Sequence, residues 1–356
     1  TTLRVNDAAL DIDDRKTRRR IDFTDLDLST GRLAGGVPAP VDIAFRTKTT
    51  EPATDVALHL TGLLLLDPET GLYALRGMNI GLQGSALGLS GIDARLGGEF
   101  EARSERLHLA EARLVLRAKR GGEPLDMDIK VPRLEYKSDR VTSQRMELNA
   151  SIGAAGEQLT ARLTVPELEG NTESVKSAPV TLYVNGRLAE STLEGRVTGS
   201  LRGAMAARIL EFPDMDGQLS IINPALPKGR VSATLAGGAH LDISQGVLRT
   251  RFDAHLDDSR ITAAMTMTGF DKQAYAIDVD IDTLDLDRYR SPKTRGAHSD
   301  RPFDLSSLES LNATGSVRIG ELKLAGVVAH GVVVSFDPRS GGAVAARPRH
   351  PAFDLR

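Results

Sequence analysis

The stretch "YAIDVDIDTLDLDRY", Tyr275 to Tyr289, sets three carboxylates at every second position: Asp278, Asp280 and Asp282. Three chemistries want carboxylates so close: a calcium loop, an acid/base pair, or a strand with one wet and one greasy face. A calcium loop counted from Asp278 needs Gly at its sixth position and Glu at its twelfth. Thr283 and Tyr289 stand there, so the turn and the bidentate ligand are both missing. Carboxylate pairs recur throughout the chain, and nothing in their spacing singles out one for proton transfer. Strict alternation with Tyr275, Ile277, Val279 and Ile281 favours the strand. After Thr283 the apolar parity flips to Leu284 and Leu286, which predicts a bulge or tight bend near Thr283. Arg249 and Arg251, at matching alternation in "VLRTRFDAHL", offer the acidic face a charge-paired neighbour.

Other reactive groups are sparse. The chain has no Cys, which excludes thiolate nucleophiles, disulfides and Cys-based zinc sites. His59, His108 and His255 sit between apolar neighbours in alternating runs and should face the polar side, while His298 and His350 lie in loop-like sequence. No paired-His metal motif, nucleophile elbow, P-loop or dinucleotide fingerprint occurs. The chain therefore reads as a non-enzyme without cofactor or metal. A net charge of −3 gives no bulk attraction to nucleic acid. Aromatics are only 4% and Trp is absent, so the apolar surface is aliphatic and suits flexible aliphatic partners better than stacked rings. The sharpest charge feature is "DRKTRRR", Asp14 to Arg20. It reads as an exposed hairpin turn. Its functional alternative is contact of Arg15, Lys16, Arg18, Arg19 and Arg20 with anionic lipid headgroups.

The elements that would position these residues are almost all strands. "VALHLTG", "LDMDIKVPRLEY", "MELNASI", "LTARLTV", "RVSATLAG" and "RITAAMTM" alternate with period two, separated by turns such as "DPETG", "KRGGEP" and "VNGR". Helical spacing is rare. Asp304 to Leu311 can form a capped helix with Leu305, Leu308 and Leu311 on one stripe, and "GAMAARIL" is a weaker candidate. The expectation is an all-β chain of about twenty short strands joined mostly by hairpins, with one or two short helices near the C-terminus. Residues 290–302, polar and Pro-flanked, read as a linker, and 337–356 as an irregular tail. No run approaches a membrane span. The chain opens mid-pattern without an initiator Met or signal peptide, as a piece of a longer protein would.

"LRVNDAALDIDDRKTRRRIDFTDLDLSTGRLAGGVPAPVDIAF" resembles the AsmA family of Gram-negative envelope proteins. So does the later series of "DVDIDTLDLDRY", a Pro-rich gap and "FDLSSLESLNATGSVRIGELKLAG", which is similar to that family's C-terminal hallmark. The resemblance covers most of Thr1 to Phe336. It implies an elongated, curled antiparallel sheet forming an open groove over 1–289, the hallmark over 303–336, and a periplasmic location. It further implies an inner-membrane helix and a first groove segment ahead of Thr1, and a role in moving phospholipid to the outer membrane and in outer-membrane assembly, with outer-membrane or envelope proteins as further partners. The family carries no catalytic residues. After "VVVSFDP" the family continues through more strands, whereas "RSGGAVAARPRHPAFDLR" shows no alternation.

The residue pattern and the resemblance converge on one physical point. So many one-sided strands expose a large apolar face that must leave water, at about 25 cal/mol per Å². With helices scarce, the face closes on a second sheet or curls into a trough filled by acyl chains. In the trough reading the lining is Leu182, Val184, Val231, Leu235, Phe252, Ile261, Met265, Met267, Ile277, Val279 and Ile281. Asp278, Asp280 and Asp282 then coat the outside. The alternatives are a scaffold that aids outer-membrane protein assembly without carrying lipid, a secreted β-helix, and an all-β hydrolase.

Overall fold

The computed structural model describes residues 1–14, 19–50, 53–154, 156–224, 226, 228–270, 273–289, 312–337 and 344–345. Over the described residues the chain is all-β, 79% strand and 1% helix. In order the strands are β1 (Arg4–Asp14), β2 (Arg19–Thr30), β3 (Ala39–Thr49), β4 (Thr54–Asp67), β5 (Leu72–Ala86), β6 (Leu89–Arg103), β7 (Arg106–Arg120) and β8 (Glu123–Lys137). Shorter strands follow: β9 (Arg140–Ser143), β10 (Met146–Ala154), β11 (Glu157–Val165), β12 (Leu168–Gly170), β13 (Val175–Ser177), β14 (Val180–Leu188), β15 (Ser191–Gly199) and β16 (Arg202–Ala204). The last set is β17 (Ile209–Ile222), β18 (Arg230–Asp242), β19 (Val247–Leu256), β20 (Ser259–Thr268), β21 (Ala274–Asp285), β22 (Ala313–Leu324), β23 (Val327–Phe336) and β24 (Val344–Ala345). The "GAMAARIL" segment is a turn between β16 and β17 rather than a helix, and a single 3-10 turn covers Leu286–Tyr289. The helix expected at 304–311 and the linker at 290–302 lie outside the described residues.

Two compact units divide the chain: Thr1–Arg187 with Ser200–Arg208 (unit 1), and Leu188–Gly199 with Ile209–Arg356 (unit 2). In unit 1, β1 to β8 form an antiparallel meander. The long β8 then carries two short strands side by side, β10 along Leu125–Lys130 and β9 along Leu134–Lys137. One branch continues through β11 to β14, the other through β12 and β13 to β16. Pro166 and Pro179 stand in the breaks between β11 and β12 and between β13 and β14. Proline has no N–H to give a ladder, so a break there loses nothing. Burial in unit 1 is deep along this line: Val165, Val175, Val180 and Leu201 are buried, Val175 to 1% exposure.

Unit 2 runs β15–β17–β18–β19–β20–β21 antiparallel. β21 then pairs in parallel with β22, and β22 antiparallel with β23. A parallel partner needs a crossover of a dozen residues or more. The connection from Asp285 to Ala313 has that length. In both units the substantial contacts between elements are between ladder neighbours, apart from the 3-10 turn against β22.

Candidate functional site

Register decides which side chains share a face. In unit 1 the ladder partners form one row across eleven strands: Val5, Leu28, Ile43, Leu60, Ile80, Leu96, Leu114, Ile129, Leu148, Leu163 and Leu182. Every member is a branched aliphatic, and every one is half-buried. Val184 stands two residues from Leu182 on the same face, opposite Ala161.

Bulges keep this face apolar over the full length of the strands. In β5 the apolar parity switches from Tyr73 and Leu75 to Met78, Ile80 and Leu82; the extra residue falls beside Gly77, at φ 58°. In β7 it switches from Leu107 and Leu109 to Ala112, Leu114 and Leu116, with Glu111 at φ 51° between them. Each insertion flips the following side chains back to the same side. A second row therefore continues the face past the bulges: Leu64, Leu75, Phe100, Leu109 and Leu134.

In unit 2, Val231, Leu235, Phe252, Ile261, Met265, Met267, Ile277, Val279 and Ile281 all fall on one face. The row through Ile281 reads Val197, Gly217, Leu235, Ala254, Ile261, Ile281, Ile319 and Val332. The nine expected lining residues there are all half-buried. Among the described hydrophobic residues of unit 2 only Val197, Ala313 and Ile319 are buried. A second protein layer packed on this face would bury it as the inner faces of a sandwich are buried. Cross-strand apolar pairs contribute about 0.2–1 kcal/mol each, and these neighbours shield one another only in part. Leu182 and Val184, the two remaining expected residues, belong to unit 1.

The opposite faces are wet and ion-paired. Asp280 meets Arg318 at 3.4 Å, and Asp278 accepts a hydrogen bond from Ser316 Oγ at 2.7 Å. The expected partners Arg249 and Arg251 are not their neighbours. β20 lies between, with Ala264 separating Arg251 from Asp278, so β22 supplies the partner instead. The flip at Thr283 is present: Asp282 and Thr283 are both exposed, and Leu284 resumes the apolar side. No extra residue is inserted there. The Asp282 carboxylate accepts the main-chain N–H groups of Arg260 and Thr283, at 2.7 and 2.6 Å, where the ladder to β20 ends. Those two donors hold its carboxyl below the usual range. In unit 1 the Arg113 guanidinium grips Asp128 with two hydrogen bonds and lowers its carboxyl likewise. Burial pushes the Glu135 carboxyl up, but Arg133 and Arg106 outweigh it and bring it below its ordinary value. His59, His108 and His255 lie on these polar faces; His59 meets Asp42 at 2.9 Å.

The basic run after Asp13 connects β1 to β2. Arg15, Lys16 and Arg18 fall outside the described residues, and for Arg19 only the backbone is described, paired with Asp14. Arg20 is held by Asp22 at 2.7 Å and lies 3.9 Å from Asp11, and the Asp22 hydrogen bond raises its guanidinium pKa.

One arrangement goes beyond the pattern of alternation. The 3-10 turn after β21 ties two hairpins together. Asp287 accepts the N–H groups of Ala325 and Gly326 in the β22–β23 turn, at 2.6 and 2.8 Å. Arg288 and Tyr289 donate to Asp258 and Asp257 in the β19–β20 turn. Burial first, and the Asp257 carboxylate second, push the Tyr289 phenol up to about 12.

Among the described residues no three His, Asp or Glu side chains gather to hold a metal ion, and no helix is long and apolar enough to cross a membrane. Set against family models, curated proteins and solved structures, the chain finds no match.

Proposed function

We propose that this chain is the periplasmic part of an AsmA-like protein, anchored to the inner membrane in the full-length protein. Its apolar faces carry phospholipid acyl chains between inner and outer membrane in support of outer-membrane assembly. One observation carries the reading: an unbroken row of branched aliphatic side chains crosses eleven strands of unit 1 and is only half-covered by protein. Acyl chains need shape-tolerant aliphatic walls and no hydrogen bonds. A row of Leu, Ile and Val supplies such walls, and each methylene it takes from water contributes about 0.8 kcal/mol. Headgroups would stay in water at the margin of the face. The reading needs no catalytic group and no cofactor.

The test is to purify the chain from a membrane-containing host without detergent and to extract it for mass spectrometry. Phospholipid in constant ratio to protein is the expected result, with a photo-reactive side chain at Leu114 crosslinking to it. Protein free of lipid, with crosslinks to polypeptide only, would leave the scaffold role and remove the carrier.

A further inference from the structure

The polar face of unit 1 has a concavity of its own. A cavity of about 840 Å³ opens there over β7, β8, β10, β11 and β14. One ladder row of its floor runs Arg117, Asp126, Ser151, Thr160 and Asn185, and the next runs Val115, Asp128, Asn149, Arg162 and Tyr183.

Charge on this floor is uneven. Arg113 grips Asp128 with two hydrogen bonds, at 3.0 and 2.7 Å, and the Lys130 charge bears on the same carboxylate. Arg117 stands between Asp93 and Asp126, 3.8 Å from the latter. Glu147, opposite Lys130, is taken by Arg145 at 3.0 Å. β11 and β14 bring no carboxylate to the floor, so Arg162 is left with neutral neighbours. Its Nε donates to Asn149 Oδ1 at 2.9 Å, which fixes the plane of the guanidinium. Its terminal nitrogens meet no carboxylate among the described residues. A guanidinium fork held in this way matches the oxygens of a carboxylate or a phosphate. Near it, the Ser151 hydroxyl and the Asn185 amide have no protein partner among the described residues. Thr160 Oγ1 donates to the Asn185 carbonyl at 3.1 Å and keeps its lone pairs for a donor from a ligand. Tyr183, 41% exposed, presents its ring directly beside Arg162, while aliphatic Val115 lies at the far end of the row beside Asp128. One uncompensated guanidinium in an enclosure of this size takes a single oxyanion rather than a polyanion. The hydroxyl and amide groups around it suit a hydroxylated body rather than an acyl chain.

We propose that this cleft binds a small hydroxylated anion, a phosphate or carboxylate on a glycerol- or sugar-sized body, with its oxyanion on Arg162. The site is on the face opposite the aliphatic row and does not rest on acyl-chain carriage. The experiment is calorimetric titration of the whole chain at low salt with glycerol 3-phosphate and with glucuronate, beside neutral methyl glucoside. Saturable binding of at least one anion is expected, and which of them binds more tightly tells phosphate from carboxylate. Binding should weaken as salt rises. Arg162→Gln removes the charge and should weaken it about tenfold, the size of one lost charge-assisted contact. Asp126→Asn removes a competing carboxylate from the same floor and should tighten it about two- to threefold. The second variant acts in the opposite direction on an exposed side chain, so it keeps the test valid if Arg162→Gln does not fold. No binding of either anion at millimolar concentration, equal binding of methyl glucoside, or binding that the variants leave unchanged would overturn the proposal.

Discussion

Val279→Asp, with Asp280→Lys one residue along as its control, separates the two faces of β21. Val279 lies opposite Ala263 and Val317, with Ile277 and Ile281 two residues away on its own strand. None of these can pair a carboxylate. A half-buried carboxylate without a partner costs about 1–3 kcal/mol. Losing the half-burial of valine adds about 1 kcal/mol, half the range for a full aliphatic side chain. Unit 2 should lose about 2–4 kcal/mol in all. The effect on bound lipid is larger in relative terms. A carboxylate holds water, and clearing three or four methylenes from its surroundings forfeits about 3 kcal/mol, roughly a hundredfold in occupancy. Asp280→Lys exchanges an exposed pair with Arg318 for a like-charge contact, worth about 0.2–1 kcal/mol, and touches nothing on the apolar face. Phospholipid per protein is measured by quantitative mass spectrometry beside a thermal melt of each variant. If folded Val279→Asp keeps the parent's lipid, or Asp280→Lys loses as much, the reasoning is wrong.

Three further outcomes follow from the polar contacts and the close packing. Asp287→Ala leaves the Ala325 and Gly326 N–H groups without their acceptor; the loss should be about 1–3 kcal/mol, with hydrogen exchange at those two amides rising first. Asp282 has its carboxyl depressed by the Arg260 and Thr283 amides, so its contribution is present above the unfolded value of about 3.9 and disappears as pH falls through the folded value. Melts of Asp282→Asn should therefore lie below the parent near neutral pH, with the gap closing below about pH 4. A methyl added at Gly237 would come 2.1 Å from the Arg251 carbonyl oxygen. Gly237→Ala should displace the β18–β19 ladder at a cost of about 1–3 kcal/mol, read as faster exchange in both strands.

How much of this was legible in sequence depends on which physical rule each feature obeys. Alternation is local, so the strands, the hairpins and the flip at Thr283 could be read from single runs such as "YAIDVDIDTLD". Nine of the lining residues came from such clean runs, and the structure sets all nine on one face. Pairing is not local. Charge complementarity suggested Arg249 and Arg251 for the acidic face, but attraction carries no information about strand order. β20 intervenes, and Arg318 arrives from beyond a long crossover. The tie made by Asp287, Arg288 and Tyr289 was hidden for the same reason, since its partners lie 30 to 39 residues away.

Of the row in unit 1 only Leu182 was expected as lining, and its passage through β5 and β7 was hidden for a subtler reason that bears on function. Within β5 and β7 the alternation breaks, so each reads as two short unrelated runs. Had the parity continued unbroken, Tyr73 and Leu75, or Leu107 and Leu109, would project onto the face that carries His59 and Asp128. The bulges at Gly77 and Glu111 return them to the aliphatic side. Gly77 announces its bulge because glycine adopts positive φ freely, whereas Glu111 does so at a cost and carries no such signal. A strand fifteen residues long that keeps most of its large apolar side chains on one side, Leu72 in β5 and Val115 in β7 being the exceptions, thus needs one insertion in its middle. A core buried beneath a second layer would gain nothing from a face extended so far beyond it. A surface that must stay aliphatic along the whole length of a mobile, flexible ligand gains from every residue.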